Sequence, residues 1–206
     1  MSAAPPILLY RHPLSGHCHR VEMLLNMLGL RYRTRDVDLA AGEQRQPAFL
    51  AINPFGQVPV IDDGGTVVAD SNAILVYLAM RYGQASWLPR DALGAARVQR
   101  WLSLAAGALA HGAARARAVR VFGRAMDPSE AIATAQALFA RMDSALEGQT
   151  FLAADGPTIA DLAMYSYTAH APEGGVSLEP YPRLRAWLER VQSLPGFVAM
   201  PASPTA

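Results

Sequence analysis

The sequence predicts an α+β domain with the element order βαβαββα, followed by an all-helical domain. Three observations support this prediction. Strand-like apolar runs alternate with segments of helical periodicity only within residues 1–83. Within residues 91–206, every patterned segment has helical spacing. The short segment 84–90 between them contains Trp87, so we expect this link to pack and not to swing.

Apolar patterning and turn residues define the elements of the first domain. The predicted strands are 7–10, 31–39, 58–61 and 66–68, and the predicted helices are 20–30, 42–51 and 71–82. Pro13 and Gly16 end the first strand, and Gly29 closes the first helix. The Asp-Asp-Gly-Gly run at 62–65 predicts a hairpin turn, and Ser71 opens the last helix of this domain.

The second domain is rich in alanine and has no convincing strand pattern. Its predicted helices are 91–123, 128–146, 158–169 and 181–191. Thr158 and Asp161 have the spacing of a capping box at the start of the third of these helices. The last residues, 200–206, are predicted to be frayed.

Composition limits the class of protein. The 206 residues are 51% hydrophobic and 17% charged, and no apolar run reaches the roughly 18 residues of a membrane span. The N-terminus lacks a secretory signal pattern, and the single cysteine, Cys18, cannot form an internal disulfide. We therefore expect a soluble cytoplasmic protein without a membrane partner.

The 18 basic residues are all arginine. Schiff-base enzymes and Walker-type phosphate loops both need lysine, so these classes are excluded. A net charge of +1 argues against general nucleic-acid binding.

A hydroxyl side chain follows the first predicted strand, in the run Tyr-Arg-His-Pro-Leu-Ser-Gly-His-Cys-His-Arg-Val at 10–21. The next helix points unpaired backbone N–H groups at this turn, which stabilises an anion there. Ser15 and Cys18 have the spacing of a redox Cys-x-x-Cys pair in which a hydroxyl replaces the first thiol. Without a thiol at the first position, this pair cannot attack a disulfide as a redox Cys-x-x-Cys pair does. The turn can still bind the thiolate of another molecule.

Five further segments complete a pattern. They are Gly-Glu-Gln-Arg-Gln-Pro at 42–47, Asn-Pro-Phe-Gly-Gln-Val-Pro at 53–59, Ala-Asp-Ser-Asn-Ala-Ile at 69–74, Tyr-Pro-Arg-Leu-Arg-Ala-Trp at 181–187 and Leu-Pro-Gly-Phe at 194–197. In this order the chain resembles, over nearly its whole length, the cytosolic glutathione S-transferases of the serine type, nearest the phi, theta and zeta classes. The resemblance implies a thioredoxin-like N-terminal domain, and a helical C-terminal domain that contributes the electrophile site. It also implies glutathione as co-substrate, no metal, conjugation to an electrophilic small molecule and a role in detoxification.

The resemblance assigns the catalytic role to Ser15. The residues that it assigns to glutathione binding are Gln44, Arg45, Gln57, Val58, Pro59, Asp70 and Ser71. A cis bond before Pro59 would turn the Val58 backbone toward the cysteinyl backbone of glutathione. Base rates favour an ordinary trans bond, but the surrounding motif favours cis. Gln44 and Arg45 would hold the glycine carboxylate, which suits a guanidinium, although an exposed arginine is also often simply solvated.

Asp70 and Ser71 lie where the hairpin is followed by a helix. Ser71 is predicted to cap this helix and to meet a carboxylate with its hydroxyl and N–H, while Asp70 meets an ammonium group. These two groups form the γ-glutamyl end of glutathione. The alternative is that Asp70 and Ser71 only cap the helix. Their distance in sequence from Val58 and Pro59 favours the interpretation that they bind glutathione.

Ser15 needs no general base to activate a thiol. A free thiol titrates near 8.5, and a shift of about two pKa units is worth about 2.7 kcal/mol. A hydrogen bond to a charged sulfur supplies roughly 1.5 to 3 kcal/mol and a helix N-terminus roughly 0.3 to 1 kcal/mol. Together these two interactions are sufficient to lower the thiol pKa by about two units.

Segment 92–126 contains six arginines and no Asp or Glu. A regular helix would place Arg97, Arg100, His111 and Arg115 on one face and Arg117, Arg120 and Arg124 on roughly the opposite face. In the resembled family such a helix borders the electrophile pocket. His111 and Arg115 are therefore expected to favour an anionic or carboxylated second substrate, and His12 is a further candidate residue of the electrophile site. A solvated arginine stripe is an equally weighted alternative.

Other interpretations of the turn are weaker. The residues around Ser15 do not form a nucleophile elbow, which argues against a serine hydrolase. His17 and His19 would point to nearly opposite sides of a helix, which argues against a metal site. Cys18 is expected to pack as a small apolar residue, with a mixed disulfide to glutathione as the alternative.

Phe55 is a candidate interface residue of a two-fold homodimer, with a partly exposed hydrophobe as the alternative. Two other functions stay open for the same fold. One is glutathione-dependent isomerisation, peroxide reduction or dehalogenation, and the other is a non-catalytic ligand-binding protein.

Overall fold

The computed structural model describes residues 5–203 and confirms the predicted order of strands and helices in the first half of the chain. The strands are β1 (Ile7–Arg11), β2 (Tyr32–Asp36), β3 (Val60–Asp63) and β4 (Thr66–Ala69), and the helices are α1 (Gly16–Met27), α2 (Pro47–Leu50) and α3 (Ser71–Arg81), with a 3-10 turn at Glu43–Arg45. The sheet order is β2-β1-β3-β4. β1 pairs in parallel with β2 and antiparallel with β3, and β3 and β4 form the antiparallel hairpin.

Both faces of this sheet are covered. Leu9 of β1 and Ile61 of β3, which face each other in register, are fully buried with Leu24 of α1 and Ile74 of α3. A smaller cluster around Phe49 of α2 covers the other face. Because α1 follows β1 directly, its N-terminus lies at the end of a central strand, which is where Ser15 is held.

The second half is helical in the residues described. Its helices are α4 (Ala92–Leu104), α5 (Arg115–Val121), α6 (Ser129–Ala145), α7 (Ile159–Ala169) and α8 (Pro182–Gln192), with a π-helical segment at Ala105–Ala114 and a 3-10 turn at Ala171–Gly174. α7 is buried along nearly its whole length and packs against α1, α3 and α4, so it links the two halves. No helix among residues 5–203 is both long and apolar enough to cross a membrane.

The start of α7 confirms the predicted capping box. The Thr158 hydroxyl accepts from the Ala160 amide, and the Asp161 carboxylate accepts from the Thr158 amide at 2.9 Å. Asp161 also accepts from the Trp187 indole at 2.9 Å, which fastens α8 to α7.

Several predicted boundaries are wrong for local reasons. α1 begins at Gly16, four residues before the predicted start, because Ser15 caps it. β3 begins two residues late, after Pro59, and the hairpin turn is only Gly64 and Gly65, both with positive φ.

The predicted long helix over 91–123 is continuous but not regular. The ten residues Ala105–Ala114 form a π-helix, whose i→i+5 bonding changes which side chains share a face. A Cβ added to Gly112 would lie 2.9 Å from the Ala135 amide nitrogen, so glycine permits the close approach of α6 to this segment.

The C-terminal segment is held more firmly than predicted. Met200 and Ser203 are buried, and Ser203 is bonded to Arg117 and Glu173. The rest of the segment predicted to be frayed, 204–206, lies outside the described residues.

Candidate active site

A cavity of ≈ 690 Å³ lies between the sheet-containing half and the helical half. The predicted site residues that line it are His12, Ser15, Gln44, Gln57, Val58, Pro59, Asp70, Ser71, His111 and Arg115. Arg45 is exposed and does not line this cavity. Ala106, Ala110, Ala114 and Ala118 supply an apolar wall on the helical side.

Ser15 is the N-cap of α1. Its backbone is extended, and its hydroxyl accepts from the Cys18 amide at 3.4 Å, which is a long and weak capping bond. The hydroxyl therefore remains able to donate to a second group in the cavity. The first-turn amides of α1 point at the same space and favour an anion there.

Tyr167 of α7 packs directly against this turn. A Cβ added to Gly16 would lie 2.9 Å from the Tyr167 ring, so only glycine permits this contact. Burial raises the pKa of the Tyr167 phenol, although the Ser15 side chain and the His17 backbone interact with it and lower it. Tyr167 also lines the cavity, and no residue near Ser15 in sequence indicates this contact.

The Val58–Pro59 bond is cis, as the motif predicts. Asn53 stabilises this stretch, because its side-chain amide donates to the Gln57 carbonyl at 2.8 Å. Gln44 lies next to it, and a Cβ on Gly56 would meet the Gln44 carbonyl at 2.9 Å. The buried Gln44 Oε1 has no hydrogen-bond partner among the described residues, so the side chain has bonding capacity at the cavity wall.

Asp70, and not Ser71, caps α3, which corrects the prediction. Asp70 has φ 75°, and its Oδ1 accepts from the Asn72 and Ala73 amides at 2.9 and 3.0 Å. Ser71 is the first helical residue, and its hydroxyl lies 3.5 Å from His17 Nδ1. Asp70 has the positive φ, and its carboxylate lies over the first turn of α3, which leaves Ser71 as a helical residue facing the cavity.

The arrangement of arginines on the long helical run differs from the predicted faces. His111 and Arg115 line the cavity, but so do Arg117 and Arg124, which were assigned to the opposite face. Arg97 and Arg100 do not line it. The π-helical segment between Arg100 and Arg115 breaks the regular period that would place Arg97 and Arg100 on one face with Arg115. Arg117 lies in the regular helix α5 with Arg115, and Arg124 lies beyond the end of α5 at Val121, where no helical face is defined.

Arg117 is only 1% exposed and reaches the turn that carries Ser15. It donates to the Leu14 carbonyl at 2.7 Å, to Glu173 at 2.7 Å and to Ser203 at 2.6 Å. This buried network fastens the turn to the helical half, and sequence reasoning missed it.

The histidines and the cysteine of the turn have separate structural roles. Cys18 is fully buried, and burial raises its pKa to about 12, so its thiol is not a nucleophile at neutral pH. His19 is bonded to Ser166 and to the Val198 carbonyl. Burial lowers the pKa of His12 and, to about 3, that of His17, so His17 is neutral. Among residues 5–203, no group of three or more His, Cys, Asp or Glu could hold a metal ion.

Two family models match this chain. The model of the glutathione S-transferase N-terminal domain covers residues 14–81, and that of the C-terminal domain covers residues 107–195. The chain belongs to the glutathione S-transferase family. This confirms the resemblance at the level of the family and of its transferase activity, while the serine type stays a prediction.

Individual members of the glutathione S-transferase family are similar over almost all of the chain. Glutathione S-transferase 3 of Zea mays is 32% identical over 204 residues, which cover 93% of this chain and 91% of the maize protein. Glutathione S-transferase theta-1 of Mus musculus is 31% identical over 199 residues, which cover 91% of this chain and 83% of the mouse protein.

Solved structures of glutathione S-transferases have the same fold. The crystal structure of the Pseudomonas fluorescens enzyme has a TM-score of 0.90 and 32% identity, and the match covers 95% of this chain and 99% of that one. A glutathione transferase homologue from Drosophila mojavensis with bound glutathione has a TM-score of 0.84 and 29% identity. The match covers 92% of this chain and 89% of that one.

Proposed function

We propose that this transferase activates the thiol of glutathione at Ser15 for attack on an electrophilic small molecule. The observation that carries the proposal is the position of the Ser15 hydroxyl, which caps α1 through a weak bond and lines the shared cavity. Glutathione is the co-substrate of the family, and no group other than the tripeptide is needed for this step.

The cavity wall offers a partner for each part of glutathione. Asp70 uses Oδ1 for capping, so its Oδ2 can meet the γ-glutamyl ammonium, and the Ser71 hydroxyl can meet the neighbouring carboxylate. The Val58 backbone, beside the cis bond and Gln57, would pair with the cysteinyl backbone. Gln44 would hold the glycine carboxylate through its side-chain amide, with the exposed Arg45 reaching it from outside the cavity.

In this orientation the sulfur lies at the start of α1. A thiolate there accepts a hydrogen bond from the Ser15 hydroxyl. It is also stabilised by the positive end of the α1 dipole, at the first-turn amides. These two interactions are worth roughly 2 to 4 kcal/mol, which corresponds to a thiol pKa lowered from about 8.5 to between about 5.5 and 7. The sulfur then attacks the electrophile and its proton leaves to solvent.

The second substrate would lie against the helical side of the cavity. The alanine wall accepts an apolar body, and His12, His111 and Arg115 stand around it. The His12 ring packs edge-on against Phe122, with ring centroids 5.7 Å apart, so it forms part of the apolar rim. The arginines at this wall favour a substrate that carries a carboxylate or another anion.

A conjugation assay tests the role of Ser15. The rate with a chloronitrobenzene reporter at about pH 6.5 should fall roughly 10- to 50-fold in Ser15→Ala, because loss of the hydroxyl raises the thiol pKa and lowers the thiolate fraction. Ser193→Ala, an exposed serine outside the cavity, is the matched control and should keep the wild-type rate. Equal rates in wild type and Ser15→Ala would remove Ser15 from this role.

The same assay separates the other functions of this fold. A non-catalytic ligand-binding protein would retain glutathione binding and show no conjugation. An isomerase, peroxidase or dehalogenase would turn over its own substrates with the same dependence on Ser15.

The proposal extends to the assembly and location of the protein. We propose domains at 1–83 and 91–206 joined by the link 84–90, a cytoplasmic location and a role in detoxification. We also propose a homodimer. Phe55 is 84% exposed, which is unusual for a large apolar side chain and fits an interface with a second copy.

A further inference from the structure

The peptide group that joins Leu14 to Ser15 is held from two directions. Its N–H belongs to the turn, because the Ser15 amide donates to the His12 carbonyl at 3.0 Å. Its carbonyl has no partner within the turn. In the described part of the chain, the one group that donates to this carbonyl is Arg117 Nη1, at 2.7 Å. The helical half therefore supplies one of the two bonds that orient the peptide group before Ser15.

Arg117 is held in place by a different partner at each of its side-chain nitrogens. Nε donates to Glu173 at 2.7 Å, Nη1 to the Leu14 carbonyl at 2.7 Å and Nη2 to Ser203 at 2.6 Å. A Cβ added to Gly174 would lie 2.6 Å from the Arg117 amide nitrogen, so the 3-10 turn that carries Glu173 packs directly on α5. Because a guanidinium is planar, bonds to three separate segments fix its position.

The charge of Arg117 is balanced within this network. Burial alone would raise the pKa of Glu173, but hydrogen bonds with Ser203, His170 and Arg117 lower it to about 2, so the carboxylate is ionised at neutral pH. An ion pair at 2.7 Å has a much weaker field at a distance than a lone cation has. We therefore expect Arg117 to act on the cavity through the geometry of its bonds and not through its charge.

A bond to the Leu14 carbonyl reaches Ser15 through a single rigid unit. A peptide group is planar, so an arginine that fixes the carbonyl oxygen also fixes the nitrogen and Cα of Ser15. Only φ and χ1 then separate the fixed atoms from the Ser15 hydroxyl. The long contact of 3.4 Å to the Cys18 amide holds the hydroxyl itself only weakly. The direction of the hydroxyl therefore depends on the peptide group that Arg117 holds, and a hydrogen bond weakens steeply when its donor is misaligned.

We propose that Arg117 is a positioning residue, which holds the Ser15 hydroxyl through the Leu14 carbonyl so that the hydroxyl can donate to the sulfur of glutathione. The inference rests on the proposed function, because it requires the sulfur to lie at Ser15. It adds that the reactivity of the thiol depends on a contact between the two halves of the chain. An Arg117 that only stabilises the fold would leave the thiol of bound glutathione unchanged in every folded variant.

The absorbance of the bound thiolate, followed against pH, measures this dependence. Arg117→Lys keeps a positive charge beside Glu173 but presents one nitrogen in place of the planar fork, so it cannot hold all three partners. It should raise the thiol pKa of bound glutathione by about one unit, because the hydroxyl is no longer aligned with the sulfur. In the Ser15→Ala background the same substitution should change this pKa by less than about 0.3 unit, because the hydroxyl is absent.

Two controls separate positioning from binding and from loss of stability. The affinity of Arg117→Lys for S-methylglutathione, which carries no thiol, should stay within about 2-fold of wild type, because Arg117 holds the turn and not the tripeptide. Thr158→Ala weakens the capping box outside the cavity and should keep the wild-type thiol pKa. Thermal melting followed by circular dichroism shows whether each variant is folded.

A second variant replaces Arg117→Lys if that protein does not fold. Arg117→Met combined with Glu173→Gln removes both charges together, so no unpaired charge is left buried. It also removes the donor to the Leu14 carbonyl, and it should raise the thiol pKa by the same amount.

Three results would overturn the inference. One is a wild-type thiol pKa in the folded Arg117 variant, or an equal rise in Thr158→Ala. Another is a rise of the same size with and without the Ser15 hydroxyl, since Arg117 would then act on the sulfur by another route. The third is a fall of more than about 5-fold in affinity for S-methylglutathione, which would make Arg117 a binding residue. All three leave the proposed function in place, whereas an unchanged thiol pKa in Ser15→Ala would overturn the proposed function and the inference with it.

Discussion

Glu173→Gln tests how the helical half holds the turn that carries Ser15. Glu173 accepts from the buried Arg117 at 2.7 Å and from the Ser203 hydroxyl, and it lies 2.5 Å from His170 Nδ1. Burial by itself would raise the pKa of Glu173. The bonds to Ser203, His170 and Arg117 outweigh burial and lower this pKa from 4.5 to about 2.

The shift corresponds to roughly 3 kcal/mol of stability at pH 7. The Glu173 side chain is 20% exposed, so solvent screening reduces this figure only in part. Because the pKa is depressed in the folded protein, the stabilisation is complete above the ordinary pKa of 4.5. It is lost as the pH falls, with about half remaining near pH 3 and little near pH 2.

Urea denaturation at a series of pH values measures this contribution. At pH 7 the free energy of unfolding of Glu173→Gln should be about 3 kcal/mol below that of wild type, because Arg117 then keeps a buried charge without a carboxylate. The difference should narrow below pH 4.5. Glu147→Gln is the control, since Glu147 pairs with Arg183 at 2.8 Å but is 73% exposed, and it should change stability by less than about 0.5 kcal/mol.

Two results would refute this reasoning. One is a difference at pH 7 as small as that of the Glu147 control. The other is a difference that stays constant on acidification, which would mean that the ionised carboxylate of Glu173 is not the source of the stability.

Three further predictions concern the cavity and the surface. Tyr167→Phe removes the phenol beside Ser15 and should raise the thiol pKa of bound glutathione by about one unit, measured by thiolate absorbance against pH; a phenol that only fills space would leave this pKa unchanged. Arg115→Ala should reduce turnover of a carboxylated electrophile about 5-fold more than turnover of a neutral one, whereas equal reductions would contradict charge selection. Phe55→Ser should shift the sedimentation of the protein from dimer toward monomer, and an unchanged dimer would place Phe55 outside the interface.

Features that depend on a few neighbouring residues could be predicted from the sequence. The Thr158 capping box uses partners within three residues of one another, and the cis bond at Val58–Pro59 belongs to one short motif. In each case the residue types and their spacing contain nearly all of the information that the local structure needs.

The cap of α3 shows where such local reasoning ends. Asp70 and Ser71 are adjacent, and both residue types are favoured at an N-cap. The choice between them depends on the backbone, because Asp70 takes a positive φ at the end of β4 and this places its carboxylate over the first turn. A side-chain preference cannot reveal that dihedral angle.

Contacts between the two halves could not be predicted at all. Arg117 reaches the Leu14 carbonyl across 103 positions of the chain, and Tyr167 packs on Gly16 across an even longer separation in sequence. The π-helical segment adds to the difficulty, because it shifts the side chains that follow it out of the regular period. Arg97 and Arg100, which precede this segment, therefore do not line the cavity with Arg115. Arg117 lies two residues after Arg115 in the regular helix α5, and it lines the cavity with Arg115 because its side chain reaches the Leu14 carbonyl.

Arg20 and Arg117 show that two buried arginines of one chain can have very different partners. In the sequence they are two of 18 arginines, both lie in predicted helices, and nothing distinguishes one from the other. In the structure the Arg117 charge is matched by the carboxylate of Glu173, while Arg20 has two donor groups, Nε and Nη2, without a hydrogen-bond partner among residues 5–203. Acid therefore weakens the Arg117 network through Glu173, because protonation of that carboxylate removes the anion that faces the buried guanidinium.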